Sequence, residues 1–188
     1  MREATKVTVK YQFLKIILTQ AAASGIAVVF GTVAFWYFTD INILKQILSG
    51  IFMFVNFVLL FIQARKFAAM DIKPYTNLRP SVIKGVLLGV SVAAINVIFA
   101  FIFRLLWVKY GSETGIAGVF PTIYNAFFYL WSFPYNGIME LNHGNFTFFT
   151  WIFMTAVPIA ATTAGYITGV KKIDVMEKIN SLIYEKED

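Results

Sequence analysis

Four long apolar stretches without a charged side chain constrain this sequence more than any other feature. They cover residues 16–38, 47–64, 85–103 and 146–170. An α-helix needs about 20 apolar residues to cross the hydrocarbon core of a bilayer, which is roughly 30 Å thick. The sequence therefore predicts an all-α integral membrane protein, built as a bundle of four transmembrane helices.

The composition agrees with this class. Hydrophobic residues make up 59% of the chain and charged residues 14%, whereas about 25% of the residues in an average soluble domain are charged. The chain has no cysteine, which excludes disulfides and thiol chemistry. Its formal net charge of +6 would suit nucleic acid, but the basic residues lie between the apolar stretches, where they indicate membrane topology instead. We therefore expect no nucleic-acid partner.

The distribution of Lys and Arg predicts the orientation of the bundle. Segments 1–15, 65–84 and 171–188 hold four, five and four of these residues, while segments 39–46 and 104–145 hold one and two. Loops rich in Lys and Arg stay in the cytoplasm, and their charge attracts anionic membrane lipid. We expect a multi-pass protein of the cell membrane whose two termini are both cytoplasmic.

A further charge-free segment, residues 115–139, is long enough to span but differs from the other four. Pro121 and Pro134 interrupt the hydrogen-bond ladder of a helix, and the many aromatic residues are typical of a membrane interface. An interfacial or re-entrant helix on the outer face keeps the tail in the cytoplasm, and we predict this form. The alternative is a fifth span, which would place Lys171 and Lys172 outside the cell, against the charge rule.

The chain divides into two predicted parts. Residues 1–170 form a single transmembrane domain, and residues 171–188 form a cytoplasmic tail helix. The tail places Val175, Met176 and Ile179 on one helical face, with charged residues opposite. Such an amphipathic helix lies on the membrane or docks on a partner, which is either a membrane or a cytoplasmic protein.

Each predicted span carries small or polar residues at steps of three and four, which places them on one helical face. Because lipid tails are as apolar as leucine, helices in a membrane associate through close approach at small residues and through interhelical hydrogen bonds. The faces predicted to pack are Gln20, Ser24, Ala27, Gly31 and Ala34 in the first span; Ser49, Met53, Asn56, Leu60 and Gln63 in the second; Gly85, Gly89, Ala93, Asn96, Ala100 and Arg104 in the third; and Pro158, Thr162, Gly165 and Gly169 in the fourth.

Two of these residues are predicted to meet. Asn56 and Asn96 lie near the middle of consecutive antiparallel spans, so we expect their amides to bond to each other or to a shared water. The pair is either an interhelical clamp or part of a polar pocket for a small solute.

The predicted binding site combines the two amides with the aromatic segment. We expect the segment to fold over the outer ends of the spans and to close a pocket whose wall includes Arg104 and Asn125. The alternatives are that Arg104 snorkels to lipid headgroups and that the aromatic rings form an interface belt facing lipid. The candidate ligand-binding residues are Asn56, Asn96, Arg104, Tyr124, Asn125 and Trp131.

No motif for catalysis, cofactor binding or metal binding stands out in the sequence. Glu140 and His143 are close in sequence but lack the third ligand that a catalytic zinc site needs, and the glycine signatures of nucleotide sites are missing. We therefore expect a protein that is not an enzyme and carries no cofactor and no metal. The predicted function is a solute-binding or transport component. The alternative is a non-enzymatic membrane subunit that binds partner proteins through its small-residue helix faces and its C-terminal helix.

Overall fold

The computed structural model describes residues 8–37, 42–73, 80–110, 116–135 and 148–171. All regular structure in these ranges is helical. The elements are α1 (Val9–Tyr37), α2 (Asn42–Asp71), α3 (Val82–Tyr110), α4 (Ile116–Ser132), a 3-10 turn (Phe133–Tyr135) and α5 (Phe148–Val170). The predicted tail helix over 171–188 lies outside the described residues, apart from Lys171.

The helices α1, α2, α3 and α5 are long and apolar enough to cross a membrane. This confirms the predicted all-α bundle of four spans. Their outward faces carry exposed large side chains, among them Phe30, Phe54, Ile83 and Phe101. A soluble protein would bury such residues, and in this protein they form the surface that meets lipid.

The four spans meet at the end of the bundle where Asp71 lies, which is called the Asp71 end below. Asp71 is the last residue of α2. Its carboxylate accepts hydrogen bonds from Gln12 near the start of α1, from Lys84 near the start of α3 and from Tyr166 near the end of α5. Spans that follow one another in the chain are therefore antiparallel, whereas α2 and α5, which pack against each other, both end at the Asp71 end and are parallel. The connection from α3 to α5 both leaves and re-enters the bundle at the opposite end.

Glycines set the close approach of α5 to its two neighbours. A Cβ atom on Gly85 of α3 would lie 2.6 Å from Cβ of Tyr166. On the other side of α5, a Cβ atom on Gly165 would overlap the backbone carbonyl of Phe61, and one on Gly169 would lie 2.6 Å from Cβ of Ala68. The small-residue faces predicted for α3 and α5 are thus used within the chain, because only glycine lets the backbones come so close.

Most of the residues predicted to pack are indeed buried, but Arg104 on α3 is exposed. Burial of a guanidinium without a charged partner is too costly. The prediction that Arg104 belongs to the packing face of α3 is therefore wrong. The buried members of the four predicted faces are Gln20, Ser24, Ala27, Gly31, Ser49, Asn56, Leu60, Gly85, Gly89, Ala93, Asn96, Ala100, Pro158, Thr162, Gly165 and Gly169.

The segment after α3 is re-entrant. α4 has only 17 residues, and its last turns reach the middle of the bundle, where Trp131 contacts Asn96, the central residue of α3. The 3-10 turn that follows contacts α1, α2 and α5, and its Pro134 and Tyr135 are buried. Non-helical backbone at membrane depth is tolerated when it is buried in protein, and here the spans supply that cover. The segment therefore enters the bundle without crossing it.

Candidate functional site

A buried polar layer holds the end of the re-entrant segment at the middle of the bundle. Nε1 of Trp131 donates a hydrogen bond to Oδ1 of Asn96 at 2.7 Å, and Nδ2 of Asn96 donates to the carbonyl oxygen of Met154 in α5 at 2.8 Å. An indole nitrogen can only donate and a carbonyl oxygen can only accept, so a single orientation of the amide satisfies both partners. Asn96 therefore joins α3, α4 and α5.

The bond to Met154 has a local cause in α5. Pro158 lies inside that helix and has no backbone N–H, so it cannot donate to the carbonyl of Met154, four residues earlier. Membrane helices tolerate such a proline when a neighbouring helix satisfies the freed carbonyl. The Asn96 side chain does so here, which gives this amide a structural role.

Two further hydrogen bonds anchor the segment to α1 and α2. Oγ of Ser24 donates to the carbonyl oxygen of Trp131 at 2.6 Å, and Nδ2 of Asn56 donates to the hydroxyl of Tyr135 at 2.8 Å. The expected direct bond between Asn56 and Asn96 is therefore wrong. Because the re-entrant segment reaches this level of the bundle, each amide bonds to it instead; a shared water stays a prediction.

Two buried acceptor atoms in this layer lack a hydrogen-bond donor among the described residues. They are Oδ1 of Asn56 and Oε1 of Gln20. A buried acceptor without a partner is unfavourable, and an ordered water commonly fills such a position.

An apolar groove of about 600 Å³ runs beside this layer. It opens towards lipid, because Phe127 and Leu130 on its edge are 66% and 47% exposed. Its walls come from three helices: Ala21, Ser24, Gly25 and Val28 of α1; Phe99 of α3; and Tyr124, Phe127, Leu130 and Trp131 of α4.

The polar atoms of the groove walls are turned away from its space. The hydroxyl of Tyr124 donates to the carbonyl oxygen of Phe99 at 3.0 Å, while Ser24 and Trp131 make the bonds described above. Phe99 also packs edge-on against the rings of Tyr124 and Trp131. The groove therefore presents hydrocarbon and ring surface rather than hydrogen-bonding groups.

The structure brings together some of the predicted site residues and separates others. Tyr124 and Trp131 line the groove, and Asn96 lies behind Trp131. Asn56 faces the 3-10 turn instead, and the exposed Arg104 is not part of the groove wall. The groove lies at the depth of Phe99 and not at the end of α3, and a pocket wall that includes Arg104 stays a prediction. The side chain of Asn125 lies outside the described residues.

The Asp71 end contains a charged cluster that sequence reasoning missed. The side chain of Asp71 is fully buried; its Oδ1 accepts from Nε2 of Gln12 at 2.8 Å, and its Oδ2 accepts from Nζ of Lys84 and from the hydroxyl of Tyr166, each at 2.5 Å. A sequence signal was available. Asp71 continues the buried face of α2 that runs through Leu60, so an acid on that face predicts a buried charge that needs a partner.

The described residues include no group of three or more His, Asp or Glu side chains that could hold a metal ion. Glu140 and His143 lie outside them. The sequence-based expectation of no metal site therefore stays a prediction for the whole chain.

No protein-family model matches this chain, and neither a curated protein nor a solved structure is significantly similar to it.

Proposed function

We propose that this integral membrane protein binds an apolar, chain-like molecule, such as a lipid acyl chain, in the groove between α1, α3 and α4. The observation that carries the proposal is the combination of a lipid-facing space of about 600 Å³ with walls whose polar atoms are bonded elsewhere. Such binding suits a component that captures an apolar solute from the bilayer for transport.

The chemistry of the walls favours hydrocarbon over a polar solute. Ligand pockets commonly measure about 300–1,000 Å³, so the groove has a suitable size. A polar ligand would lose its hydration there without finding hydrogen bonds in return, which is costly. A hydrocarbon chain has no such loss, and it gains contacts with the rings of Phe99, Tyr124 and Trp131.

Gly25 offers a direct test, because a Cβ atom at this position meets nothing within 4 Å and the residue lines the groove. Gly25→Leu should fill part of the groove. Gly50 is a matched control, because it is also an exposed helical glycine with nothing within 4 Å but does not line the groove. Gly50→Leu should leave the groove unchanged.

The measurement is thermal unfolding in a fluorinated detergent, with and without palmitic acid. A ligand at about 100 times its Kd stabilises a protein by about 2.7 kcal/mol, which corresponds to roughly 5–10 °C in Tm for a chain of this size. We expect that shift in the parent protein and in Gly50→Leu, and a much smaller one in Gly25→Leu. Equal shifts in both variants, or none in the parent, would contradict the proposal.

The same glycine supports a second candidate function. Ala21 and Gly25 are four residues apart on α1 and form a small-residue face with open space beside it. A helix of another membrane protein could approach closely there, which would make this chain a non-enzymatic subunit. The predicted tail helix over 171–188 would add a second docking element.

A photo-crosslinking residue at Val28, inside the groove, distinguishes the two candidates in native membranes. Crosslinks to lipid alone favour binding of an apolar chain. A crosslinked product with the mass of one additional defined protein favours the subunit.

A further inference from the structure

We infer that the Asp71 cluster is a releasable latch, which holds the four spans together at the Asp71 end of the bundle, away from the half that carries the groove. The inference does not depend on what occupies the groove. It rests on the geometry of Asp71 and on the different packing of the two halves of the bundle.

The cluster ties all four spans together through one side chain. Gln12 belongs to α1, Asp71 to α2, Lys84 to α3 and Tyr166 to α5, and each of the other three donates to the Asp71 carboxylate. Removal of the negative charge would therefore loosen three interhelical contacts at once.

The chemistry of the cluster suits a contact that opens and recloses. The net gain from a buried ion pair is small, because the loss of hydration offsets most of the attraction, whereas removal of one partner alone is strongly unfavourable. The cluster is also incompletely satisfied, since Oε1 of Gln12 is buried without a partner among the described residues. The side chain of Lys84 keeps 11% of its surface exposed, so water can reach the pair. Such a contact favours two discrete states over gradual deformation.

The two halves of the bundle differ in the way that a latch requires. Next to the cluster, Gly85 packs against Tyr166 and Gly169 packs against Ala68, so the backbones are close. In the other half, the re-entrant segment contacts α1, α2 and α3, and the groove lies beside it. The Asp71 end is therefore closed by direct packing of the spans, whereas the other half has a groove that opens towards lipid.

Cysteine labelling can test the latch, since the chain has no cysteine of its own. Ala64→Cys reports on the core cluster nearest the latch, where Ala64 is 0% exposed. Ala100→Cys reports on the other cluster, where Ala100 is 2% exposed. Each reporter is combined with Asp71→Asn, which removes the charge but keeps the shape. Tyr135→Phe is the control, because it removes one fully buried hydrogen bond in the other half.

The readout is the rate of reaction with a small charged methanethiosulfonate in detergent. Labelling of a buried cysteine follows the local opening equilibrium, so we expect Asp71→Asn to raise the rate at Ala64→Cys by about tenfold or more. The rate at Ala100→Cys should stay within about twofold. Tyr135→Phe should leave Ala64→Cys protected. The charge swap of Asp71→Lys with Lys84→Asp should restore protection in part.

Three outcomes would overturn the inference. Unchanged labelling at Ala64→Cys means that the cluster does not hold the end closed. Equal acceleration at both reporters means general loosening of the fold. If neither Asp71→Asn nor Lys84→Gln accumulates as folded protein while Tyr135→Phe does, the cluster is a requirement for folding and not a latch.

Discussion

Asn96→Leu is the change that most directly probes the polar layer. It removes the acceptor for Nε1 of Trp131, which is half-buried, and the donor for the buried carbonyl of Met154, so two polar groups lose their partners. Interhelical hydrogen bonds in membranes contribute about 0.6 kcal/mol on average and at most about 1.7 kcal/mol each. With two such bonds, we expect the free energy of unfolding to fall by roughly 1–3 kcal/mol.

A second substitution separates the two contributions. Pro158→Ala restores a backbone N–H at the position that normally donates to the carbonyl of Met154. In the Asn96→Leu background it should therefore recover about half of the loss, roughly 0.6–1.7 kcal/mol. In the parent protein the same change should have little benefit, because Asn96 already satisfies that carbonyl. The two substitutions should thus be strongly non-additive.

Asn56→Leu is the matched control at a similar depth. Asn56 makes one hydrogen bond, to Tyr135, and its Oδ1 is a buried acceptor without a partner among the described residues. Replacement removes that unfavourable acceptor but also leaves the buried hydroxyl of Tyr135 without the amide donor, so the cost should be that of about one hydrogen bond, roughly 0.6 kcal/mol, and smaller than the cost of Asn96→Leu.

The assay is unfolding of the detergent-solubilised protein by increasing SDS, followed by circular dichroism. Equal losses in Asn56→Leu and Asn96→Leu would refute the assigned hydrogen bonds. So would a Pro158→Ala change whose effect is the same in both backgrounds.

Two further predictions concern packing and topology. Gly165→Ala should be about 1–3 kcal/mol less stable than Gly50→Ala in the same assay. The reason is that a Cβ atom at Gly165 overlaps the backbone of Phe61, whereas one at Gly50 meets nothing within 4 Å. Equal stability of the two variants would contradict the close contact of α2 with α5. The orientation can be tested with single cysteines in intact cells. A cysteine at Thr76 should not react with a membrane-impermeant reagent and one at Asn142 should react, because the Lys and Arg counts predict that Thr76 is cytoplasmic and Asn142 is external. The reverse labelling pattern would contradict the predicted topology.

Much of the fold could be predicted because it depends on local properties of the chain. The four spans follow from hydropathy, since a charged side chain in the hydrocarbon core is costly wherever it lies in the sequence. The packing faces follow from helical spacing, and burial of Gly85, Asn96 and Gly165 agrees with them. The re-entrant form of residues 115–139 could also be predicted, because the charge rule places the C-terminal tail in the cytoplasm and therefore requires an even number of spans.

The contacts within the candidate site were harder to predict from the sequence. Asn56 and Asn96 were recognised as polar residues at a similar depth, but the sequence does not say which donor or acceptor comes between them. The bond from Asn96 to the carbonyl that Pro158 leaves free joins residues far apart in the chain. Its partner is backbone, which carries no sequence signature.

The lipid environment of this protein, the number of its spans and the faces on which they pack can be predicted from local sequence, because each depends on how a short run of side chains interacts with lipid. The contact of Trp131 with Asn96, the position of Arg104 outside the groove and the four-helix contact at Asp71 became visible in the folded bundle. These features depend on where distant segments meet and how deep a non-spanning segment enters the bundle. Hydrogen bonds and ion pairs act over a few ångströms, so the path of the whole chain selects their partners.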